Sequence, residues 1–183
     1  MKLPKQAKKV FSGIMYTVYQ WEQKLYDGKT ATYEAIKRKS SVQIIPVYEN
    51  KIILSDEEQP HRGKFTGMIG GQIDAKETPK QAAKRELLEE TGMKPTKLIF
   101  WKKTNFGKQL NWETHYYVAK NCNKIQEPKP GNGEKIKLKF LTFNELFKET
   151  EKPGFRNKSF KEMLFRINHT KGEKEKLRKF LFD

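Results

Sequence analysis

Gly71-Gln72-Ile73-Asp74-Ala75-Lys76-Glu77-Thr78-Pro79-Lys80-Gln81-Ala82-Ala83-Lys84-Arg85-Glu86-Leu87-Leu88-Glu89-Glu90-Thr91-Gly92-Met93 is the stretch on which the reading of the chain turns. Its second half carries its own helix punctuation. Thr78 and Gln81 form a Thr-x-x-Gln capping box, and Pro79 falls at the first helical position, where a missing N–H costs nothing. Good helix formers follow from Lys80 to Glu90. Gly92 can turn left-handed and end the helix, and Pro95 keeps it from restarting. On that helix Glu86, Glu89 and Glu90 are spaced i, i+3, i+4 and share one face. Carboxylates that close repel one another by a few tenths of a kcal/mol. A hard divalent cation reverses the sign, because Mg²⁺ or Mn²⁺ prefers carboxylate oxygens. An acidic helix face taken alone is more often just solvated.

The spacing as a whole is more specific. Gly71, five residues, Glu77, seven residues, then Arg85-Glu86-Leu87-x-Glu89-Glu90-x-Gly92-Met93 resembles the complete signature of the Nudix hydrolases. With average residue usage, a match at one start position has a chance on the order of 10⁻⁹. The resemblance implies an α/β/α sandwich around a mixed sheet, with the motif as a loop–helix–loop at one edge. It implies Glu86, Glu89 and Glu90 as metal ligands, joined by a carbonyl at about Gly70, and Mg²⁺ or Mn²⁺ as cofactor. Gly71, Glu77, Arg85 and Gly92 take the structural places of the motif, with Arg85 tying loop to helix. The family commonly has a proline before its two small loop residues; this chain has Ile69-Gly70-Gly71.

Upstream, Val42 to Tyr48 reads as a buried strand, Glu49-Asn50-Lys51 as a turn, and Ile52 to Leu54 as the start of the next strand. The segment Glu58-Gln59-Pro60-His61-Arg62 resembles the Glu-Gln-x-Arg segment of ADP-ribose and nucleotide-sugar pyrophosphatases. That makes Arg62 a candidate for the diphosphate, since a guanidinium fork suits phosphate oxygens; the bland reading is an ion pair with Glu57 or Glu58. Phe65 to Ile69 reads as a short strand into the glycines. Further upstream, Asp27-Gly28 is a hairpin signal between Phe11–Tyr26 and Thr30–Lys37, and Met1 to Lys9 is polar and expected to be loose at its start. Such an N-terminal antiparallel hairpin or small sheet covers the core or, as in the ADP-ribose pyrophosphatase branch, forms a homodimer surface.

Downstream, Lys97–Trp101 and Glu113–Lys120 read as strands, with Lys102–Trp112 as a loop between them. Trp101 and Trp112 are candidates to stack a nucleobase, worth about 1–3 kcal/mol, although such aromatics are more often core. Many ADP-ribose pyrophosphatases carry a proline about 16 residues past the motif, where Gln109 stands here; that departure bears on the exact substrate. Asn121–Glu134 is a polar segment of the length of a binding loop. By resemblance its glutamates are the candidate general bases, Glu134 first and Glu127 second, with Glu90 as the other catalytic carboxylate. Lys135–Phe140 reads as a strand, Thr142–Phe147 opens a helix, and Phe160–Phe182 is helical with a break at His169–Gly172.

These elements divide the chain into residues 1–40 as an N-terminal β extension, 41–150 as the catalytic domain and 151–183 as a C-terminal helical region. Lys plus Arg number 38 against 22 Asp plus Glu, a net charge of +16. Such a field draws in anionic nucleotides. No RNA-binding, zinc-finger or helix-turn-helix pattern accompanies it, so nucleic acid is a lesser expectation. The single cysteine, Cys122, forms no internal disulfide and fits a cytoplasmic setting. No apolar run reaches the roughly 18 residues of a membrane span. The expected function is metal-dependent hydrolysis of the diphosphate in ADP-ribose or a nucleotide sugar. The rivals are a nucleoside triphosphate, dinucleoside polyphosphate or RNA-cap pyrophosphohydrolase, and a non-catalytic nucleotide- or RNA-binding module.

Overall fold

The computed structural model describes residues 3–105, 107, 109–131, 133 and 135–183. Two sheets form. The smaller joins β1 (Lys8–Ser12), β2 (Tyr16–Lys24) and β3 (Thr30–Arg38) as antiparallel neighbours, with β8 (Leu110–Asn111) added in parallel to β3. Asp27 accepts from the Lys29 amide in the turn between β2 and β3. β1 begins at Lys8.

The larger sheet runs β10 (Lys135–Leu141), β5 (Lys51–Gln59), β4 (Ser41–Tyr48), β9 (Glu113–Lys124) and β7 (Met93–Asn105), with β6 (Gly63–Gly67) also pairing with β5. It is mixed: β4 is parallel to β9 and antiparallel to β5. Three boundaries differ from the sequence reading. β7 continues past Trp101 into the segment expected to be a loop, because after a bulge between Phe100 and Lys102 the pairing with β9 resumes as far as Asn105. β9 itself runs on to Lys124. β6 stops at Gly67, and Ile69 keeps only an isolated bridge to Ile44.

Strand alternation sorts the core into two layers. Val42 and Ile44 of β4, Ile53 of β5, and Tyr117 and Ala119 of β9 face one side, where they meet Ala82, Ala83 and Leu87 of α1 (Pro79–Thr91). Ile45 and Val47, Ile52 and Leu54, and Tyr116 and Val118 face the other. There they meet α2 (Phe143–Glu151), α3 (Lys158–His169) and α4 (Glu173–Phe182) through Leu146, Phe160, Leu164, Leu177 and Leu181. The result is an α/β/α sandwich in which residues after 151 supply much of one core layer. Among the described residues no helix is long and apolar enough to cross a membrane.

Candidate functional site

Helix α1 is fixed at both ends by its own sequence. Thr78 Oγ1 accepts from the Gln81 amide at 3.3 Å and the Thr78 amide donates to Gln81 Oε1 at 2.8 Å, the reciprocal pair of a capping box. At the far end Gly92 takes a left-handed φ of 68° and its N–H returns to the Leu88 carbonyl. A Cβ there would collide with the Gln126 carbonyl, so glycine is required by contact as well as by φ. The Ile125 and Gln126 amides both donate to the Gly92 carbonyl, and the Lys129 amide donates to that of Glu89 at 2.7 Å. The segment after β9 is thereby tied to the end of α1.

The acidic face of α1 meets the Gly70-Gly71 loop. Glu90 is only 7% exposed, and its Oε2 accepts from the Gly70 amide at 3.1 Å. A Cβ at Gly71 would collide with the Glu86 carboxylate. The Val42 and Ile44 amides donate to the Gly71 and Ile69 carbonyls. Alternation along this extended segment leaves the Gly70 carbonyl on the opposite edge, the edge of its own N–H and Glu90.

One guanidinium ties Glu77, Glu86 and Glu89 together. Arg85 Nε and Nη2 grip Glu77 in a fork at 3.0 Å each, Nη2 reaches the Gln72 carbonyl at 3.0 Å, and Nη1 donates to Glu86 at 2.8 Å and Glu89 at 3.1 Å. Asp74 lies 3.8 Å from Nη2. The Arg85 guanidinium holds the Glu77 carboxyl below the usual range, and Glu77, with Glu86 and Glu89, pushes Arg85 further up against its partial burial. Among the described residues no three carboxylates, imidazoles or thiols already stand in a metal-holding group. The residues nonetheless fit a hard divalent ion. Three carboxylates and a carbonyl are oxygen donors of the right kind, and the bare α-carbon of Gly71 lets the loop backbone approach Glu86 as closely as backbone can.

A family model of the NUDIX domain matches residues 37–163. The chain belongs to the Nudix family of hydrolases. It is similar to the ADP-ribose pyrophosphatase of Bacillus subtilis (strain 168), 25% identical over 151 residues, spanning 79% of this chain and 80% of that protein. It is also similar to the methanol dehydrogenase activator of Bacillus methanolicus, 26% identical over 125 residues, 65% of this chain and 66% of the other. The crystal structure of an ADP compounds hydrolase superposes with a TM-score of 0.74 at 23% identity, covering 90% of each chain. That likeness is one of Nudix fold.

The remaining expected site residues are dispersed. Arg62 sits exposed in the turn between β5 and β6, where its Nε donates to His61 Nε2 at 3.1 Å. Trp101 is not brought to the α1 side. It stands edge-on to Tyr116 and Phe160 and packs near Phe180, within the core shared with α3 and α4, because it comes one residue after Phe100, which pairs with Tyr117 on the α1 side. Trp112 lies with its ring 5.2 Å from the Arg38 guanidinium. Two residues on, Thr114 pairs with Ser41, which also bridges to Gln72, so Trp112 is at the Gly71 end of the sheet. Glu127 is exposed and ion-paired to Lys124 at 2.7 Å. Glu134 lies outside the described residues.

A cavity of about 570 Å³ lies by β5, β6 and β10. Its cross-strand rows are Lys64–Glu58–Lys135 and Thr66–Asp56–Lys137. Asp56 shares Lys139 with Glu149 of α2, so these rows face the α2 side, away from the α1 carboxylates. On the α1 side of the same strands stand Glu57, which the sequence reading offered only as an ion-pair partner for Arg62, and Arg156 from the segment after α2, which it missed.

Proposed function

We propose that this Nudix protein hydrolyses the diphosphate of a nucleoside diphosphate joined to another group, ADP-ribose or a nucleotide sugar, releasing a nucleoside monophosphate and a sugar phosphate. The observation that carries the reading is the close approach of the Gly70-Gly71 backbone to Glu86 and Glu90, in a cluster with more carboxylates than cations. Glu86, Glu89, Glu90 and the Gly70 carbonyl would hold Mg²⁺ or Mn²⁺. When bound, such an ion supplies Lewis-acid stabilisation of charge on the phosphoryl oxygens. The similarity to an ADP-ribose pyrophosphatase supports the substrate class.

The chain's own groups do the rest. Water bonds to one phosphorus as the bridging P–O bond breaks, and its proton passes to a glutamate of the Asn121–Glu134 segment, Glu134 first and Glu127 second. Glu127 acts in this way only after leaving Lys124, as a base must come within about 3 Å of its water. Trp112, beside the Gly71 end of the sheet, offers a ring for the base. Exposed Val10, Phe11, Ile14 and Met15 on β1 and its turn support a homodimer through the N-terminal sheet; light scattering that reports a monomer at micromolar concentration rejects this.

The test is a panel of nucleotide diphosphate compounds with Mg²⁺ or Mn²⁺, products read by mass spectrometry. Nucleoside monophosphate plus sugar phosphate is the expected result. Pyrophosphate released from triphosphates, with nucleotide sugars untouched, moves the protein to the triphosphate or cap hydrolases. Tight nucleotide binding without turnover makes it a binding module.

A further inference from the structure

Helix α1 covers only part of its face of the large sheet, packing on β4, β7 and β9. The same face continues across β5 and β6. There Glu57 stands opposite Phe65, and Gly67 opposite Ser55. The sheet then gains one more short run. The Thr66 amide donates to the Gly154 carbonyl, the Arg156 amide donates to the Thr66 carbonyl, and Thr66 bridges in parallel to Phe155. Phe155 points into the α2–α4 core, so alternation turns Arg156 to the α1 side.

Glu57 and Phe65 both meet Arg156 there. Its Nη1 lies 3.9 Å from Glu57 Oε2, and its guanidinium lies over the Phe65 ring, 5.0 Å from the centroid. Glu57 is itself fixed. It is only 8% exposed, accepts from Ser55 Oγ at 2.6 Å and accepts from Gln59 Nε2 at 3.3 Å. A Cβ at Gly67 would lie 3.2 Å from Glu57 Oε1, so the strand entering the catalytic loop passes directly over this carboxylate. Gly67 is three residues before Gly70, whose amide donates to Glu90. Three extended residues span at most about 10 Å, which is the scale of a diphosphate with one sugar attached.

We infer that Arg156 is a substrate-binding residue. It would receive the phosphate distal to the α1 carboxylates, oriented by Glu57 as a positioning residue and by stacking on Phe65. A guanidinium fixed on one side by a carboxylate and below by a ring has lost little of its fork geometry, and a planar fork matches phosphate oxygens. Arg62, the guanidinium favoured by sequence, sits instead in the β5–β6 turn beyond the end of β5. The inference rests on the diphosphate reading above and names one more residue of that site.

The experiment is calorimetric binding of α,β-methylene ADP without metal, beside steady-state turnover of ADP-ribose with Mg²⁺. The variants are Arg156→Gln, Arg156→Lys, Glu57→Gln and, as a control for loss of one positive charge, Arg166→Gln. Arg156→Gln is expected to weaken binding about tenfold or more and to raise KM with a smaller effect on kcat, since a hydrogen bond to a charged group is worth at least that factor. Arg156→Lys restores part of the affinity, Glu57→Gln falls between, and Arg166→Gln matches the parent. Thermal melts check that each variant is folded; if Arg156→Gln is not, Arg156→Lys carries the test alone. If the parent binds and turns over the diphosphate and both Arg156 variants match it, Arg156 is not a binding residue and the proposed function stands. If the parent itself neither binds nor turns over any diphosphate, the proposed function fails first.

Discussion

Two acidic clusters in this chain are built on opposite principles. On the α2 side Glu149 is 8% exposed and has a lysine for each oxygen, Lys139 at 2.9 Å and Lys152 at 2.7 Å. Burial raises its pKa, but those lysines outweigh it and hold the carboxyl below the usual range. Lys139 also pairs with Asp56 at 2.9 Å. On the α1 side a single arginine is divided among Glu77, Glu86 and Glu89, with Asp74 at its edge, and Glu90 is met by a backbone amide. Lys39 reaches only Asp74 at the rim of this group, at 3.2 Å. The balanced cluster is finished as it stands. The unbalanced one is where the proposed function places its divalent ion.

Substitutions that treat the two clusters alike should separate them most sharply. Glu90→Gln is expected to lower kcat by orders of magnitude while far-ultraviolet circular dichroism and melting remain close to the parent. Glu149→Gln should leave kcat unchanged and cost about 1–3 kcal/mol of stability in denaturant titrations. Equal kcat for Glu90→Gln and its parent removes the metal assignment.

A second contrast is steric. Gly71→Ala puts a methyl group where the Glu86 carboxylate lies. Displacing that acid by about 1 Å should lower turnover by about 10²-fold, with unchanged activity showing that Glu86 need not stay where it is. The smallest expected effect is one of pH. The Glu149 carboxyl is depressed in the folded state, so its contribution is complete above the ordinary glutamate range and disappears as pH falls through the lowered value. The gap in melting temperature between parent and Glu149→Gln should therefore be constant at neutral pH and close in acid. A gap that persists at low pH shows that packing, not charge, is what Glu149 contributes.

Local signals in the sequence carried the parts of this fold that are decided locally. The capping box at Thr78, the stop at Gly92, the Asp27-Gly28 turn and the break between α3 and α4 each depend on residues within a few positions of one another. The pairing of β7 through Asn105 does not. Lys102, Lys103 and Asn105 look like loop residues because the strand there is exposed, and only β9, found later in the chain, fixes them. The same holds for Trp101, whose side follows from the pairing of Phe100 with Tyr117, and for Arg156. Nothing near Arg156 in sequence announces that Phe155 will bridge to Thr66 and turn the arginine toward the α1 face. The motif thus revealed one wall of the candidate site, and the opposite wall required the topology.

The joint at Gly92 has a mechanical consequence. One oxygen there anchors the first two amides of the segment that follows β9, while the preceding turn of α1 carries the clustered acids. Swinging that segment pulls on the same rung of backbone from which those acids are hung. A crosslink that displaced the residues after β9 would therefore strain the end of α1 as well.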